Sequence, residues 1–580
     1  MDRVDLIPPP AETAAPADAA VDDAMADARA VAPLLNCLLR EVAEPLPGAS
    51  ATDGRALYRL PGTGRLLRVR GTRRPAGPEV RSAGVWQPLG HTELVKLVAE
   101  ELRRHTGLSN HELPAEMIDS RDAVAALLAA RARATPPPGR YRRSEQSLVT
   151  GHPHHPAPKA RGGGPVAGWL PYAPEAYAAF PPALLGVRED LVVEEGDTSA
   201  LDALGAAPPG YRLLPAHPWQ LDLAAPALAP AFADGRLVRL GTAGFTAWPT
   251  AAVRTLYAPG RDLFLKFSLD VRITNDVRRL WRHDLLKLRR TDAAATRAFA
   301  ALDSPAAWLS DRGYRTASFA FEELAVLVRD GLDGHVLPGA TPLLAAGLVE
   351  GFEGSPLGGA GPLHGAGPFD EAGPLGGAAR PAGGGAAARA TSGAAGRSTG
   401  GMAVRSTGGA AAGGPVGPAA GGPVDPAVWW EAYLRVVVPP VLAVFADHGV
   451  VLEAHLQNTL VAVDEDGMPV QAVFRDAEGV KLTADVERAA GWERLVYCLV
   501  VNHLTEIAAV LAERHPGFDP WPAARRELAR HDLPEVRGLL AAPTLPGKTN
   551  LLLRWTGADG ADARYLPLPN PLARGRDAPA

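Results

Sequence analysis

Apolar residues recur at helical spacing in two segments near the start of the chain, and both patterns predict amphipathic helices. The second helix starts near Thr92, and Gly107 is placed to end it. Between the helices, residues 58–70 are typical of a short hairpin. The apolar faces consist of Val31, Leu34, Leu35, Leu38, Leu39 and Val42 in the first helix, and of Leu94, Val95, Val98 and Leu102 in the second. These elements predict an N-terminal α+β domain over residues 21–140.

Apolar and polar side chains alternate strictly over residues 263–274, which predicts a half-buried strand with a charged face. Residues 274–276 then predict a helix N-cap, and residues 277–281 would open that helix. Its free backbone N–H groups, with three basic side chains nearby in sequence, would form an anion site. The basic residues are Lys266, Arg272 and Arg278. A strand whose outer face is merely solvated is the alternative.

A second alternating segment, residues 450–460, predicts a strand with a polar face. The polar residues are Glu453, His455, Gln457 and Thr459. Asn458 interrupts the apolar side, and Asp476 follows downstream. Because Asn and Asp oxygens suit Mg²⁺ and small-molecule kinases use a comparable pair, these residues predict a magnesium–nucleotide site. A polar strand face followed by a turn is the alternative.

Residues 151–161 combine histidines, prolines and basic residues: Gly-His-Pro-His-His-Pro-Ala-Pro-Lys-Ala-Arg. The prolines forbid a helix and keep the backbone extended. A stiff loop that presents His152, Lys159 and Arg161 is suited to neutralise an anion such as a nucleotide phosphate. A surface loop without chemistry is one alternative. A zinc site is a weaker one, because no Cys lies nearby and local carboxylates are lacking.

Length, charge and cysteine content limit the classes of protein to which the chain can belong. The chain has 580 residues, enough for about three or four domains, and its net charge of −5 indicates neither a nucleic-acid nor an acidic-membrane partner. Cys37 and Cys498 are the only cysteines, which excludes a disulfide framework and an all-cysteine metal site within one chain. The start of the chain has no apolar signal core, and the apolar residues 436–445 contain two prolines. We therefore expect a cytoplasmic protein without a membrane helix.

Two segments are expected to lack a packed structure. Residues 1–20 are predicted to be a flexible leader. Residues 354–424 consist almost entirely of Gly, Ala, Pro and Ser and contain too few apolar side chains to offset the entropy of ordering, which predicts a disordered insertion. Helical patterns resume at residues 429–445 and 492–511.

Motifs of several large enzyme classes are absent from the sequence. No P-loop, no Gly-x-Gly-x-x-Gly after a strand and no Gly-x-Ser-x-Gly occur at the required positions. Dehydrogenase and hydrolase functions are therefore unsupported.

Six runs of residues occur in a fixed order: Gly151-His152-Pro153-x-His155-Pro156-x-x-Lys159, Leu214-Pro215-Ala216-His217-Pro218-Trp219-Gln220, Val253-Arg254-Thr255, Lys266 with Thr274-Asn275 and Arg278, Glu453-x-His455-x-Gln457-Asn458, and Arg475-Asp476. Together they resemble the aerobactin-synthetase-like family of siderophore synthetases, which work independently of nonribosomal peptide synthetases. The C-terminal region is also similar to ferric-siderophore reductases. The resemblance covers nearly the whole chain apart from the leader and the insertion.

The resemblance implies an α+β, three-part, hand-like fold, with an ATP-binding domain at residues 141–353 and a C-terminal domain at residues 425–580 that completes the active site. It also implies a homodimer. The implied reaction uses ATP and Mg²⁺ to adenylate a carboxylate, such as citrate or a succinyl derivative. An amine, a hydroxylamine-bearing polyamine or an alcohol then attacks and releases AMP.

The family's functional residues carry over to matching positions of this chain. The resemblance implies that the nucleotide phosphates are bound by His152, Lys159, Arg254, Thr255 and Lys266. It implies that the carboxylate or the adenylate is held by Thr274, Arg278 and His455. Mg²⁺ would be held by Asn458 and Asp476, with Glu453 as a support.

One departure from the family pattern affects nucleotide binding. The family usually has a serine two places before Arg254, whereas this chain has Ala252. The missing serine hydroxyl would remove a hydrogen bond to a charged phosphate, which is worth about 1.5–3 kcal/mol. The alternative is that the Thr250 hydroxyl takes its place.

Two other functions remain open from the sequence. A small-molecule phosphotransferase fits His455, Asn458 and Asp476 but leaves the His-Pro segments unexplained. A non-catalytic siderophore-binding protein is the other. An iron–sulfur reductase is excluded within one chain because Cys498 is the only cysteine beyond residue 37.

Overall fold

The computed structural model describes residues 16–46, 55–71, 74–358, 425–558 and 564–573, with residues 16–22 as backbone only. These belong to one unit, Met1–Gly361 with Val424–Ala580; a second unit, Pro362–Pro423, lies outside the described residues. The predicted leader up to residue 15 and the predicted insertion from residue 359 also lie outside them. The first helix begins at Pro16, so residues 16–20 of the predicted leader are helical.

The α-helices of the described residues follow one another as α1 (Pro16–Glu41), α2 (His91–Thr106), α3 (Glu112–Arg133), α4 (Arg140–Glu145), α5 (Val166–Trp169), α6 (Ser199–Asp202), α7 (Pro218–Leu223), α8 (Ala225–Ala233), α9 (Arg282–Ala300), α10 (Ala345–Glu350), α11 (Pro426–His448), α12 (Arg488–Val496), α13 (Thr505–Arg514), α14 (Trp521–Ala529), α15 (Pro534–Ala541) and α16 (Leu551–Thr556). A π-helix, Tyr497–Leu504, joins α12 to α13.

The strands are β1 (Glu44–Pro45), β2 (Arg55–Arg59), β3 (Leu66–Arg70), β4 (Ala76–Ser82), β5 (Val85–Pro88), β6 (Ala183–Arg188), β7 (Val192–Gly196), β8 (Tyr211–Ala216), β9 (Leu237–Thr242), β10 (Trp248–Pro249), β11 (Thr255–Ala258), β12 (Leu263–Phe267), β13 (Arg272–Ile273), β14 (Asp276–Val277), β15 (Ala307–Leu309), β16 (Asp311–Ala317), β17 (Val326–Asp330), β18 (Thr341–Leu344), β19 (Val450–Val451), β20 (Thr459–Val463), β21 (Pro469–Arg475), β22 (Lys481–Leu482), β23 (Thr544–Lys548) and β24 (Tyr565–Pro569). Helices and sheets are mixed, as the predicted α+β class requires.

The N-terminal helices and hairpin are confirmed. α1 and α2 present the predicted apolar faces to one core, and Gly107 ends α2 with φ 74° in the left-handed region that glycine tolerates. The hairpin is β2 and β3, two strands of a sheet with the order β1-β2-β3-β4-β5. Leu551 and Trp555 of α16 join this core, so the C-terminal segment packs against the N-terminal one.

Two sheets position the candidate site. A six-stranded sheet has the order β10-β11-β12-β17-β16-β7, and a four-stranded sheet has the order β15-β21-β20-β18. The second sheet takes β15 and β18 from the predicted ATP-binding segment, and β20 and β21 from the predicted C-terminal segment. Backbone hydrogen bonding therefore joins the two segments within one sheet.

Two helical stretches, Pro426–His448 and Arg488–Arg514, are long and apolar enough to span a membrane. Of their most apolar windows, 67% and 78% are buried inside the protein. The side chains of α11 occupy the largest core, where Trp429, Trp430 and Tyr433 are almost completely buried. Such burial is typical of core helices.

The predicted helix N-cap at residues 274–276 is wrong. Thr274 and Asn275 instead form the two-residue turn between β13 and β14, with Thr274 at φ 61°. The predicted strand ends at Phe267, and residues 269–278 fold into their own hairpin, in which Leu269 N–H donates to the Arg278 carbonyl. Cross-strand hydrogen bonding outweighs the local capping preference, and the helix begins only at Arg282.

The predicted continuous strand over residues 450–460 is also wrong. β19 pairs with β22, whereas β20 pairs with β18 and β21, so the two ends of this segment belong to different sheets. The intervening residues form a loop that crosses between the two sheets. Buried and partly buried side chains alternate along this loop, which accounts for the alternating pattern in the sequence.

Candidate active site

Two basic side chains of the six-stranded sheet, and a third that directly precedes β11, meet two acidic side chains that follow β21. Lys266 Nζ lies 2.5 Å from Asp476 Oδ1 and 2.7 Å from Glu478 Oε2. Arg329 Nη2 lies 2.9 Å from Asp476 Oδ1, and Arg254 Nη2 lies 3.5 Å from Glu478 Oε2. We call these five residues the charged cluster. It joins residues from both sides of the predicted insertion.

Strand register explains why the basic residues converge. Thr255 of β11 is paired with Lys266 of β12, and Phe264 of β12 is paired with Arg329 of β17. Because paired residues and residues two apart share a sheet face, Thr255, Lys266 and Arg329 point to the same side. Lys266 is only 3% exposed. Lys266, the residue of the predicted charged face that lies on β12, therefore belongs to a buried ionic surface and not to a solvated one.

The cations determine the charge of the two acids. Burial by itself would raise the pKa of Asp476, but Lys266 and Arg329 outweigh it and lower that pKa well below its usual range. Burial likewise opposes ionisation of Glu478, and Lys266 and Arg254 lower its pKa. Both carboxyl groups are therefore ionised and offer oxygen atoms to a cation.

The turn between β13 and β14 carries the second predicted group. Arg278 Nη2 donates to the Ile273 carbonyl at 2.7 Å and to Thr274 Oγ1 at 2.6 Å. Arg254 Nη1 donates to the carbonyl oxygens of Arg278 and Arg279, both at 2.9 Å. Arg254 thus links the charged cluster to the turn, and burial lowers the pKa of Arg278, with the Arg254 charge adding to the effect.

His152 and His455, two of the predicted ligand-binding residues, are neutral rings that can each donate one hydrogen bond. His152 Nδ1 accepts the His154 N–H at 3.0 Å, and His455 Nδ1 accepts the Gln457 N–H at 3.2 Å. Each ring therefore carries its proton on Nε2. Burial lowers the pKa of both rings, and the proximity of His455 lowers the pKa of His152 further. Two Nε2–H groups suit the oxygen atoms of a phosphate or a carboxylate.

Amide side chains hold the histidine loop against the turn. Asn275 Oδ1 lies 3.2 Å from His155 Nε2, and Asn275 Nδ2 donates to Asn550 Oδ1 at 3.0 Å. Asn550 Nδ2 in turn donates to the His154 carbonyl at 2.6 Å. At the start of α16, the Glu41 carboxylate accepts backbone N–H groups of residues 550–552. Hydrogen bonds thereby connect the histidine loop and the turn to α16, and α16 to the end of α1.

Other predicted residues lie apart from the charged cluster or take different partners. Lys159 Nζ contacts the buried Glu175 carboxylate, and Glu453 contacts Arg494. Asn458 lies beside the end of β21, where its carbonyl accepts the Arg475 N–H at 3.2 Å. Within the described ranges, no group of three or more His, Cys, Asp or Glu side chains is arranged to hold a metal ion.

Ala252, which stands where the family usually has a serine, lies in a compact turn. Thr250 Oγ1 accepts the Ala252 N–H at 3.3 Å, and Thr250 is 1% exposed. The Ala251 N–H is bound by Glu145, whose carboxylate also pairs with Arg475. The Thr250 hydroxyl therefore caps the turn that precedes Arg254.

Glu478, Arg329 and Asn550 belong to the candidate site but were not predicted from the sequence. Glu478 lies only two positions after Asp476, so an acidic pair directly after a strand was a usable signal. Arg329 and Asn550 had no local signal, because they reach the site only through strand pairing and helix docking.

Comparisons with known proteins identify two families to which segments of the chain are similar. Residues 140–350 match the IucA / IucC family, and residues 427–563 match the family described as ferric iron reductase FhuF-like transporter. The L-2,3-diaminopropanoate–citrate ligase of Staphylococcus aureus is 26% identical over 497 residues, which are 76% of this chain and 75% of that protein. The rhizobactin siderophore biosynthesis protein RhbC of Rhizobium meliloti is 29% identical over 486 residues, 74% of this chain and 75% of that one.

The fold is similar to that of the ATP-bound aerobactin synthetase IucA from a hypervirulent pathotype of Klebsiella pneumoniae. The TM-score is 0.70 at 19% identity, covering 95% of this chain and all of that one. The predicted synthetase fold is confirmed by this similarity, as is the predicted relation of the C-terminal region to FhuF-like proteins. Residues 140–350 therefore form an IucA/IucC family domain and residues 427–563 a FhuF-like domain, and about three quarters of the chain is similar to siderophore biosynthesis enzymes.

Proposed function

We propose that this protein is a cytoplasmic ATP-dependent ligase of siderophore biosynthesis that adenylates citrate or a succinyl-type acid and joins it to an amine, a hydroxylamine or an alcohol. The observation that carries the proposal is the charged cluster together with the neighbouring neutral histidines. A carboxylate and a triphosphate repel each other, and an enzyme that joins them needs fixed cations and donors on both. Citrate and an amine are the substrates named for the Staphylococcus aureus relative.

We assign the triphosphate to His152, Arg254, Thr255 and Lys266, and the acid to Thr274, Arg278 and His455. Arg254 links the two groups of residues, because its guanidinium contacts the carbonyl of Arg278 and also Glu478, which in turn contacts Lys266. Lys159, which was predicted to bind phosphate, forms an ion pair with Glu175. We therefore assign no phosphate to it.

In the first step, an oxygen of the acid attacks the α-phosphorus of ATP while the bond to pyrophosphate breaks. Arg278 and the Nε2–H of His455 hold the acid, and Lys266 with Arg254 offsets the charge that moves onto pyrophosphate. In the second step, the nucleophile attacks the acyl carbon, loses a proton and displaces AMP. Most of the rate enhancement then comes from positioning and charge stabilisation.

Mg²⁺ fits the donors of the site. Asp476 and Glu478 are ionised and converge on one point, the Lys266 ammonium, and Asn458 lies beside the same strand end. Carboxylate and amide oxygens are ligands that Mg²⁺ accepts. We assign the metal to Asn458 and Asp476 with Glu478; Glu453, predicted as a support, is paired with Arg494. A metal bound there would supply charge neutralisation of the phosphates.

The experiment is an adenylate trap. Purified protein is incubated with Mg-ATP and excess hydroxylamine against citrate, α-ketoglutarate, succinate and succinyl-hydroxamates. We expect AMP, pyrophosphate and a hydroxamate with one acid only. ADP as the product would establish a phosphotransferase instead, and ATP that binds but stays intact with every acid and nucleophile would favour a binding protein. Gel filtration of the same sample tests the predicted homodimer.

A further inference from the structure

Lys159 and Glu175 form an ion pair inside the protein. Lys159 Nζ contacts Glu175 Oε1, and Arg161 Nη2 lies 3.3 Å from the same oxygen. The side chains of Lys159 and Glu175 are 7% and 3% exposed. Arg161 also stacks on Trp169, with its guanidinium carbon 5.4 Å from the ring centroid. Both cations of the loop end therefore share one buried carboxylate.

The backbone around Lys159 is fastened to α3. The Lys159 N–H donates to Ser120 Oγ at 2.9 Å, and the Arg161 N–H donates to Asp119 Oδ2 at 2.6 Å. From the same helix, Arg131 Nη1 donates to the Glu175 carbonyl at 2.9 Å. Helix α3 thus holds both partners of the ion pair in place.

The other end of the loop packs on the Lys159 side chain. Gly151 has φ 79°, and a Cβ at this position would lie 2.9 Å from Lys159 Cε. The Thr150 N–H donates to Glu350 Oε1 at 3.0 Å, and Arg29 contacts the same carboxylate at 3.4 Å. The Lys159 side chain therefore runs directly beneath the backbone that leads into His152.

Resting on the ligase function proposed above, we propose that Lys159 and Glu175 are positioning residues, which anchor the loop of residues 150–161 and so place His152 for the nucleotide. Lys159 itself does not contact the phosphates. Moving the lysine away from Glu175 would leave this buried carboxylate with Arg161 as its remaining partner at 3.3 Å, so the ammonium stays with Glu175 when a ligand binds. The charged groups around the lysine are Glu175, Arg161 and Glu350.

A double-mutant cycle separates an anchor from a ligand. Glu175→Gln leaves Lys159 and Arg161 facing each other, so we expect the KM for ATP to rise about tenfold and the melting temperature to fall. Lys159→Met is expected to be milder, because Arg161 still neutralises Glu175. The double variant is expected to bring the KM for ATP back towards the wild-type value, since only one cation then remains. The KM for the acid is expected to stay unchanged throughout.

A phosphate ligand would behave differently. Lys159→Met would then raise the KM for ATP at an unchanged melting temperature, and adding Glu175→Gln would restore nothing; either result overturns the proposal. A melting-temperature change without any change in the KM for ATP would also overturn it, because the pair would then be merely structural. Nucleotide binding is read by ATP titration as well, so an error in the assigned reaction does not obscure the outcome.

Acetylation of the wild-type protein gives a test that needs no variant. Lys159 is expected to react slowly with acetic anhydride, equally with and without Mg-ATP, as measured by peptide mass spectrometry. The exposed Lys96 on α2 serves as the rapidly labelled reference. Rapid labelling of Lys159 that Mg-ATP suppresses would show that the lysine faces the nucleotide and would overturn the proposal.

Discussion

Lys266 and Asp476 are separated by 210 positions in the chain, yet Lys266 Nζ lies 2.5 Å from Asp476 Oδ1. Lys266 belongs to the six-stranded sheet, and Asp476 follows the end of β21 in the four-stranded sheet. Asp476 adopts φ 86°, a backbone conformation that is uncommon for a residue other than glycine and is frequently found at functional sites. This contact is the point where the two sheets complete the candidate site.

Replacing Lys266 tests this contact. In Lys266→Met, Asp476 keeps Arg329 and Glu478 keeps Arg254, so the fold is expected to persist. We expect kcat/KM for ATP to fall about 10²–10³-fold, the usual effect of losing one preorganised donor. Pyrophosphate release measures the activity. Lys287→Met, at an exposed position of α9, is the matched control and is expected to retain wild-type activity. Equal losses in the two variants would contradict the assignment.

Arg278 is expected to decide affinity for the acid. Arg278→Lys keeps the charge but loses the planar guanidinium, whose Nη2 donates to Ile273 and Thr274 and whose other nitrogens remain for the acid. Because a hydrogen bond to a charged group is worth about 1.5–3 kcal/mol, we expect the KM for the acid to rise about ten- to hundredfold. The KM for ATP is expected to change much less. Arg279→Lys, whose arginine pairs with Asp270 away from the turn, is the control; an unchanged KM for the acid in Arg278→Lys would disprove the role.

The buried pair of Glu145 and Arg475 is expected to dominate local stability. Glu145 is 0% exposed, and its oxygens lie 2.6 and 3.2 Å from Arg475. Glu145→Gln leaves the Arg475 charge buried without a counter-ion and is expected to lower the free energy of unfolding by about 3–5 kcal/mol. Tyr141→Phe removes only the 3.1 Å hydrogen bond to the same carboxylate and is expected to cost less, about 1.5–3 kcal/mol, because the acceptor is charged. Urea denaturation distinguishes the two, and similar losses would contradict the prediction.

His217 makes stability depend on pH. Burial among Tyr172, Phe180 and Phe267 lowers the pKa of His217 from 6.5 to about 3. Below pH 6.5 the unfolded chain therefore binds a proton that the folded protein excludes, and stability falls as the pH drops towards 3. The loss from this group reaches about 2 kcal/mol at pH 5.

His217→Asn keeps an acceptor for the Trp219 N–H but cannot titrate. We expect the free energy of unfolding of this variant to depend less steeply on pH between 6.5 and 4 than that of the wild type. The other buried histidines contribute equally to both proteins and cancel in the difference. Parallel pH profiles for the two proteins would contradict the prediction.

Two helical glycines are expected to respond in opposite ways to the same change. A Cβ on Gly347 of α10 would lie 2.5 Å from the Ser144 carbonyl oxygen, so Gly347→Ala is expected to destabilise by about 1–3 kcal/mol. Gly538 of α15 is exposed, and a Cβ there would meet no atom within 4 Å among the described residues. Gly538→Ala is therefore expected to stabilise by about 0.5–1 kcal/mol. Thermal denaturation of the two variants provides the comparison, and a shift of the same sign in both would rule it out.

Sequence patterns predicted the secondary structure correctly where an element depends only on residues close together in the chain. The apolar stripes of α1 and α2 and the glycine stop at Gly107 could be read directly, because each depends on residues three or four positions apart. The same holds for α11. Local patterns failed at residues 274–276 and 450–460, where pairing with distant strands replaced the predicted elements.

The sequence by itself determined the α+β class, the helices of the N-terminal region and the similarity to siderophore synthetases. Only the tertiary structure decided which charges meet: Lys266 with Asp476, Arg254 with Glu478, and Lys159 with Glu175. The physical reason is that an ion pair depends on distance in space, and strand register and helix docking set that distance between residues far apart in the chain. For this reason Glu478 and Arg329 belong to the charged cluster although the sequence did not predict them, and Lys159, predicted to bind the nucleotide, contacts Glu175.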